Sequence, residues 1–140
     1  ISKRIEKMLR AKYVSENTLY KNSDIISLHV PYNKDTHHLM NSKIFKKMKK
    51  TSFLINTSRG KIVNEKQLVT ALMKKEIQGA GMDVYESEPI QKNSPLLKLE
   101  NVVLAPHVGS STNETRQKMS DITVKNLILA LEGKKLLYSV

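Results

Sequence analysis

The sequence predicts an α/β fold built on a parallel sheet, and three observations predict it. Short β-rich apolar runs recur along the chain, helical patterning separates one run from the next, and the unusual polar residues stand just after the runs. Strands joined by single helices imply right-handed crossovers and therefore parallel neighbours. At 140 residues the chain is long enough for one compact domain with a core of its own.

The first run, Ile25-Ile26-Ser27-Leu28-His29-Val30, is stopped by Pro31, and its near-continuous apolarity predicts a strand covered on both faces. A short helix follows, capped by Asn41 or Ser42 and carrying Ile44, Phe45 and Met48, and then a strand from Ser52 to Asn56. Asn64 with Gln67 has the form of a capping box, which opens a helix expected to bury Leu68, Val69, Leu72 and Met73. A third strand spans Gly79 to Val84. An acidic, proline-bearing loop separates it from a fourth, Val102 to Leu104, which ends at Pro106. The last helix is expected from Ser111 or Thr112 to about Glu132, with Gly133 just past its end and Met119, Ile122, Leu127, Ile128 and Leu131 as its buried stripe. The segment from Ile1 to Lys12 is charged and has no apolar run, so it predicts neither a signal peptide nor a membrane span, and a cytoplasmic setting is the default.

A formal net charge of +11 invites a nucleic-acid reading, because lysines and arginines neutralise phosphates. Their distribution argues against it. Lys46, Lys47, Lys49 and Lys50 follow one predicted helix, Lys74 and Lys75 end another, and Lys134 and Lys135 follow the last, where they complement the negative pole of a helix. Only two Phe and no Trp are present to stack on bases. The absence of cysteine excludes a disulfide framework, a thiolate metal site and a thiol nucleophile. His37 and His38 have no third ligand at a suitable spacing, so they read as solvated loop residues and no metal site is expected.

In an open α/β sheet the ligand lies outside the carboxyl ends of the strands. Those positions hold His29-Val30-Pro31, Asn56 to Gly60, Asp83 to Pro89 and Pro106-His107-Val108-Gly109. An arginine, a histidine and carboxylates at one sheet edge supply what reduction of a 2-oxo acid needs. A guanidinium clamps the substrate carboxylate and polarises the keto oxygen. A histidine delivers the proton as hydride arrives from a nicotinamide, and a neighbouring carboxylate favours the protonated ring. Glu86 and Glu88 each read alone as an ordinary solvated carboxylate; the adjacent Pro89 and the spacing to His107 favour Glu88. Tyr85 reads as a packing residue.

Asn56-Thr57-Ser58-Arg59-Gly60, Gly81-Met82-Asp83-Val84-Tyr85-Glu86-Ser87-Glu88-Pro89 and Ala105-Pro106-His107-Val108-Gly109-Ser110 resemble, in order and spacing, three signatures of the D-2-hydroxyacid dehydrogenase family. Ser23-Asp24, His29-Val30-Pro31 and Thr36 through Asn41 extend the similarity from about Ala11 onward. The resemblance implies the C-terminal portion of a Rossmann-type coenzyme-binding domain over residues 1–140, incomplete at its N-terminus and without the substrate domain. It implies Arg59 as the substrate-binding arginine, His107 as proton donor and Glu88 as the carboxylate paired to it. Asp83 would hold the nicotinamide carboxamide, and Val30, Thr57, Ser58, Arg59, His107, Val108, Gly109 and Ser110 would line an NAD or NADP cofactor.

The family's Gly-x-Gly-x-x-Gly turn does not occur among the 140 residues; Gly79-Ala80-Gly81 lies inside a predicted strand and opens no helix. Without a helix N-terminus to hold the pyrophosphate, the segment alone is expected to bind cofactor weakly and to turn over no substrate. The implied activity is hydride transfer between NAD(P)H and a small 2-oxo or D-2-hydroxy acid, in the manner of the glyoxylate/hydroxypyruvate reductase branch. Phosphoglycerate dehydrogenase or another 2-hydroxyacid dehydrogenase is the alternative, and a corepressor-like dinucleotide-sensing protein is the alternative of another class. The full-length protein is expected to be a homodimer.

Overall fold

The computed structural model describes residues 2–139. They fall into two compact units, divided between Pro106 and His107. In the first, β1 (Ile25–Leu28), β2 (Phe53–Asn56), β3 (Gly79–Met82) and β4 (Val102–Leu104) make one four-stranded sheet in that order. Every neighbouring pair is parallel, as expected. The strands end sooner than their apolarity predicts: β1 stops at Leu28 and β3 at Met82, leaving His29, Val30, Asp83 and Val84 in loops.

Register sorts the side chains into two faces, because successive residues of a strand point to opposite sides. Ile26, Leu54, Ala80 and Val102 stand in one row, and Leu28, Asn56, Met82 and Leu104 in another. Both rows turn toward Phe45 of α3 (Ser42–Phe45) and Leu68, Ala71 and Leu72 of α4 (Glu65–Met73), with Met40, Ile62, Val63, Ile77 and Leu96 completing the core. The opposite face is open: Ile25, Phe53 and Val103 are 65%, 44% and 74% exposed. The expectation that β1 is covered on both faces is therefore corrected. Both helical connections that follow β1 and β2 pack on one side, which a sheet ordered β1-β2-β3-β4 with crossovers of one hand requires.

Helix α4 buries Leu68, Ala71 and Leu72, an i, i+3, i+4 stripe, whereas Val69 is half-buried and Met73 lies on the exposed side. The capping box is half made. The Asn64 side chain accepts from Gln67 N–H at 3.0 Å, but the Gln67 carboxamide accepts from Ser42 N–H at 2.7 Å and so ties α3 to α4. The Asn64 N–H goes instead to Met40 O at 2.9 Å. Two helices precede the sheet where the sequence reading placed none: α1 (Lys3–Leu9), which buries nothing, and α2 (Glu16–Asn22), which buries Tyr20 and is capped by the Ser15 hydroxyl accepting from Thr18 N–H.

The second unit is organised on α5 (Asn113–Leu131), capped by Thr112 and followed by Gly133 at φ +65°, the left-handed position that ends a helix, as expected. Its stripe is not buried. Met119, Leu127, Ile128 and Leu131 are exposed and Ile122 is half-buried, so the expectation of a buried stripe fails among the described residues. The returning tail is fastened by the Asn126 side chain, which donates to Tyr138 O at 2.8 Å and accepts from Leu137 N–H at 2.9 Å. No described helix is long and apolar enough to cross a membrane.

Candidate active site

Because Leu28, Asn56, Met82 and Leu104 share a row, the chain leaves β1, β2 and β3 at one level of the sheet edge, and the loops of the first unit converge there. Asn56 shapes the loop that presents Arg59. It is fully buried; its side chain accepts from Ser58 N–H at 3.1 Å and donates to Arg59 O at 3.0 Å, so one carboxamide closes the turn from inside. The Ser58 hydroxyl donates to Val30 O, joining the ends of β1 and β2. Arg59 is exposed, with Nη1 donating to Ser58 O at 2.7 Å, and Thr57 is exposed beside it.

Gly60 is the point of closest approach between this loop and the acidic one. A β-carbon there would overlap the carbonyl of Tyr85 and press on the Glu86 amide, so only glycine lets the two backbones meet. Asp83 is 7% exposed just past β3, and its N–H donates to Asn56 O at 3.0 Å. Tyr85 is buried, its hydroxyl lying 2.8 Å from Ala105 O and 3.2 Å from Met82 O, which pins the acidic loop to the sheet edge. Burial pushes its phenol above the usual range. Glu88 is exposed and accepts from Tyr85 N–H through Oε1 at 3.1 Å.

Glu86 and Glu88 have different partners in this geometry. Glu86 faces inward, accepting from Glu65 N–H at 2.8 Å and lying 3.1 Å from His38 Nε2. His38 is thus half-buried and partnered, which corrects its reading as a solvated loop residue. Sequence reasoning also assigned no role to the Asn56 side chain, although an Asn at the end of an apolar strand two residues before a Ser is a recognisable Asx-turn pattern.

His107, Val108, Gly109 and Ser110 belong to the second unit. His107 holds φ +57°, a left-handed conformation that a β-carbon disfavours, and Ser111 N–H donates to Val108 O at 2.9 Å to close the turn after it. The first unit therefore brings Val30, Thr57, Ser58, Arg59, Asp83 and Glu88 to one sheet edge, and the second holds the histidine loop.

A parallel sheet with polar loops, small residues and a buried carboxylate at its carboxyl edge suits the nicotinamide half of a dinucleotide. Gly79 and Gly81 lie within β3 and make no phosphate turn. Among the described residues no cluster of His, Cys, Asp and Glu could hold a metal ion.

The family model described as "D-isomer specific 2-hydroxyacid dehydrogenase, NAD binding domain" matches residues 2–109, and the chain belongs to that family. It is 49% identical over 123 residues to a glyoxylate reductase of Thermofilum pendens, covering 88% of this chain and 36% of the relative. Its fold matches the holo form of D-mandelate dehydrogenase from Rhodotorula graminis with a TM-score of 0.92 at 36% identity, over all of this chain and 41% of the other. A Sinorhizobium meliloti NADPH-dependent glyoxylate/hydroxypyruvate reductase, solved with NADP and malonate, matches with a TM-score of 0.83 at 36% identity, over 89% of this chain and 39% of the other. The chain spans between 36% and 41% of the length of the curated relatives it matches.

Proposed function

We propose that the protein carrying this segment is an NAD(P)-dependent oxidoreductase that interconverts a small 2-oxo acid and the D-2-hydroxy acid, in the manner of the glyoxylate/hydroxypyruvate reductases. The observation that carries the reading is the delivery of Arg59, Asp83 and Glu88 to the carboxyl edge of one parallel sheet, in a chain of the 2-hydroxyacid dehydrogenase family. Residues 1–140 are then part of the coenzyme-binding domain, in a cytoplasmic homodimer whose substrate-domain contacts lie elsewhere.

Val30, Thr57, Ser58, Asp83, Val108, Gly109 and Ser110 would hold the cofactor at the sheet edge, with Asp83 on the nicotinamide carboxamide. The nicotinamide, when bound, supplies hydride to the keto carbon. Arg59 grips the substrate carboxylate with two parallel N–H groups and draws electron density from the keto oxygen. His107 gives its ring proton to that oxygen as the alkoxide forms, and takes it back when the hydroxy acid is oxidised. Glu88 is the carboxylate that orients the ring and balances its positive charge.

Purified whole protein, assayed by absorbance of the reduced nicotinamide, should reduce glyoxylate or hydroxypyruvate with NADPH or NADH. Loss of most turnover in Glu88→Gln and His107→Ala is expected alongside. Failure to reduce any of a panel of 2-oxo acids, with cofactor binding intact, would sink the enzymatic reading and favour a dinucleotide-sensing protein.

A further inference from the structure

Outside the groups that the proposed chemistry uses, one polar cluster joins three stretches of the first unit. The segment carrying His38 runs beside the one leading into α4: His38 N–H donates to Lys61 O at 2.9 Å, Met40 N–H to Ile62 O at 3.0 Å, and Asn64 N–H to Met40 O at 2.9 Å. His38 itself holds φ +51°, so the backbone is bent into the left-handed region where its ring leaves the chain. That ring stacks on His37 with centroids 3.9 Å apart, and the His37 and Tyr32 rings lie T-shaped with centroids 5.9 Å apart. Its two nitrogens are both engaged, Nδ1 at 3.2 Å from Asn64 Nδ2 and Nε2 at 3.1 Å from Glu86 Oε1.

The direction of these bonds follows from Asn64. Its Oδ1 accepts from Gln67 N–H at 3.0 Å, which caps α4 and leaves the NH₂ end facing His38. An amide NH₂ only donates, so His38 Nδ1 accepts, the ring hydrogen sits on Nε2, and Nε2 donates to Glu86. Glu86 is held a second time by an exchange with Glu65 at the start of α4: Glu65 N–H donates to Glu86 Oε1 at 2.8 Å, and Glu86 N–H to Glu65 Oε2 at 3.2 Å.

We propose that His38 is a positioning residue for the acidic loop, acting through Glu86 to hold Glu88 and the neighbouring Arg59 turn in their working places. The loop is short between its anchors. Tyr85 fastens one side to the sheet edge and gives its N–H to Glu88 Oε1, and Glu86 fastens the next residue to α4 and His38. Gly60 seats the Arg59 turn against the Tyr85 carbonyl and the Glu86 amide, so a displacement of Glu86 reaches both charged groups of the proposed chemistry. Glu65 N–H alone would satisfy a capping role for Glu86. The bond to His38 adds an anchor on a separate loop, and with both ring nitrogens bonded the ring has no free rotation to absorb movement.

The inference rests on the functional reading above, and the test separates the two. Turnover by the unmutated whole protein decides that reading; the tautomer of His38, seen in long-range ¹⁵N–¹H correlation spectra of the same protein, is independent of activity. The expected pattern in the neutral ring is a hydrogen on Nε2 and none on Nδ1. His38→Ala and Glu86→Ala should lower kcat by about tenfold, with KM for the cofactor changed by less than about twofold, since a misplaced group costs the chemical step more than the binding of a remote part. Glu86→Gln keeps an oxygen for both N–H groups and should recover most of kcat. A hydrogen on Nδ1 of the neutral ring would overturn the proposal, as would unchanged kcat in His38→Ala, or equal damage in Glu86→Gln and Glu86→Ala. Should either alanine variant fail to fold, the spectrum and the glutamine variant still decide.

Discussion

Arg59 leaves β2 on a turn whose shape is set by a buried amide, and its chemistry in the proposed reaction depends on what only a guanidinium offers. A planar fork makes two parallel bonds to a carboxylate; an ammonium on a flexible stem makes one. In the whole enzyme, Arg59→Lys is therefore expected to lower kcat/KM by about a hundredfold, equivalent to a few kcal/mol of charge-assisted bonding. Steady-state kinetics within threefold of the parent would remove Arg59 from the site. Tyr85 has a structural consequence that pH reveals. Its phenol is pushed up from 10.0, chiefly by burial, so the neutral form is favoured in the folded state. The folded protein then holds its proton where the unfolded chain begins to lose it, and stability present below pH 10 falls as pH rises through the folded-state value. Tyr85→Phe should weaken the fold by about 0.5–1.5 kcal/mol at neutral pH through the lost hydrogen bond. It should also flatten part of the alkaline decline. Urea unfolding of parent and variant between pH 8 and 11 checks both, and parallel alkaline limbs would refute the assignment.

At the level of elements, the two faces of the sheet make opposite demands on neighbouring residues. Leu54 is fully buried against α3 and α4, whereas Val103 is 74% exposed on the other side. Truncating Leu54 to Ala removes buried methylenes and leaves a cavity, for an expected loss of about 2–5 kcal/mol. Val103→Thr keeps the β-branched shape that strands favour and changes only a solvated surface, for an expected change of at most about 0.5 kcal/mol. Denaturant midpoints of the two variants of the 140-residue chain test this. Comparable losses would mean that the open face is covered in solution. The same alternation explains why apolarity misread β1. A run such as Ile25-Ile26 shows that a strand is present, but burial follows from which face the crossovers occupy, a property of connections far along the chain. Helix α5 was misread for a related reason: its period and its caps are local, while burial of its stripe needs a partner surface that the described residues do not provide.

For the whole molecule, the decisive feature is which half of a dinucleotide the segment can serve. The sheet edge presents a buried carboxylate and polar turns suited to a nicotinamide, while its Gly-x-Gly pair is locked in β3 and offers no helix N-terminus for a pyrophosphate. The 140-residue chain is accordingly expected to bind NADH or NADPH no more tightly than about millimolar. Titration calorimetry that returns micromolar affinity would show that the segment holds the phosphates by means not visible in its loops.

The order of the four strands with α3, α4 and α5, the Asn64 cap, a helix start at Ser111 or Thr112, the place of Gly133 and the three family motifs were legible in the sequence, whereas α1 and α2 were not. Each depends on interactions within a few residues or on the identity of a side chain after a strand, and such information is local. Tertiary structure alone decided that Gln67 bonds across to Ser42, that Glu86 rather than Glu88 turns inward, and that His38 is a partner and not a solvated bystander. Those outcomes join residues tens of positions apart, such as His38 with Glu86 and Gly60 with Tyr85, and a sequence pattern carries no record of which distant backbone groups will lie within hydrogen-bonding reach once the sheet closes its register.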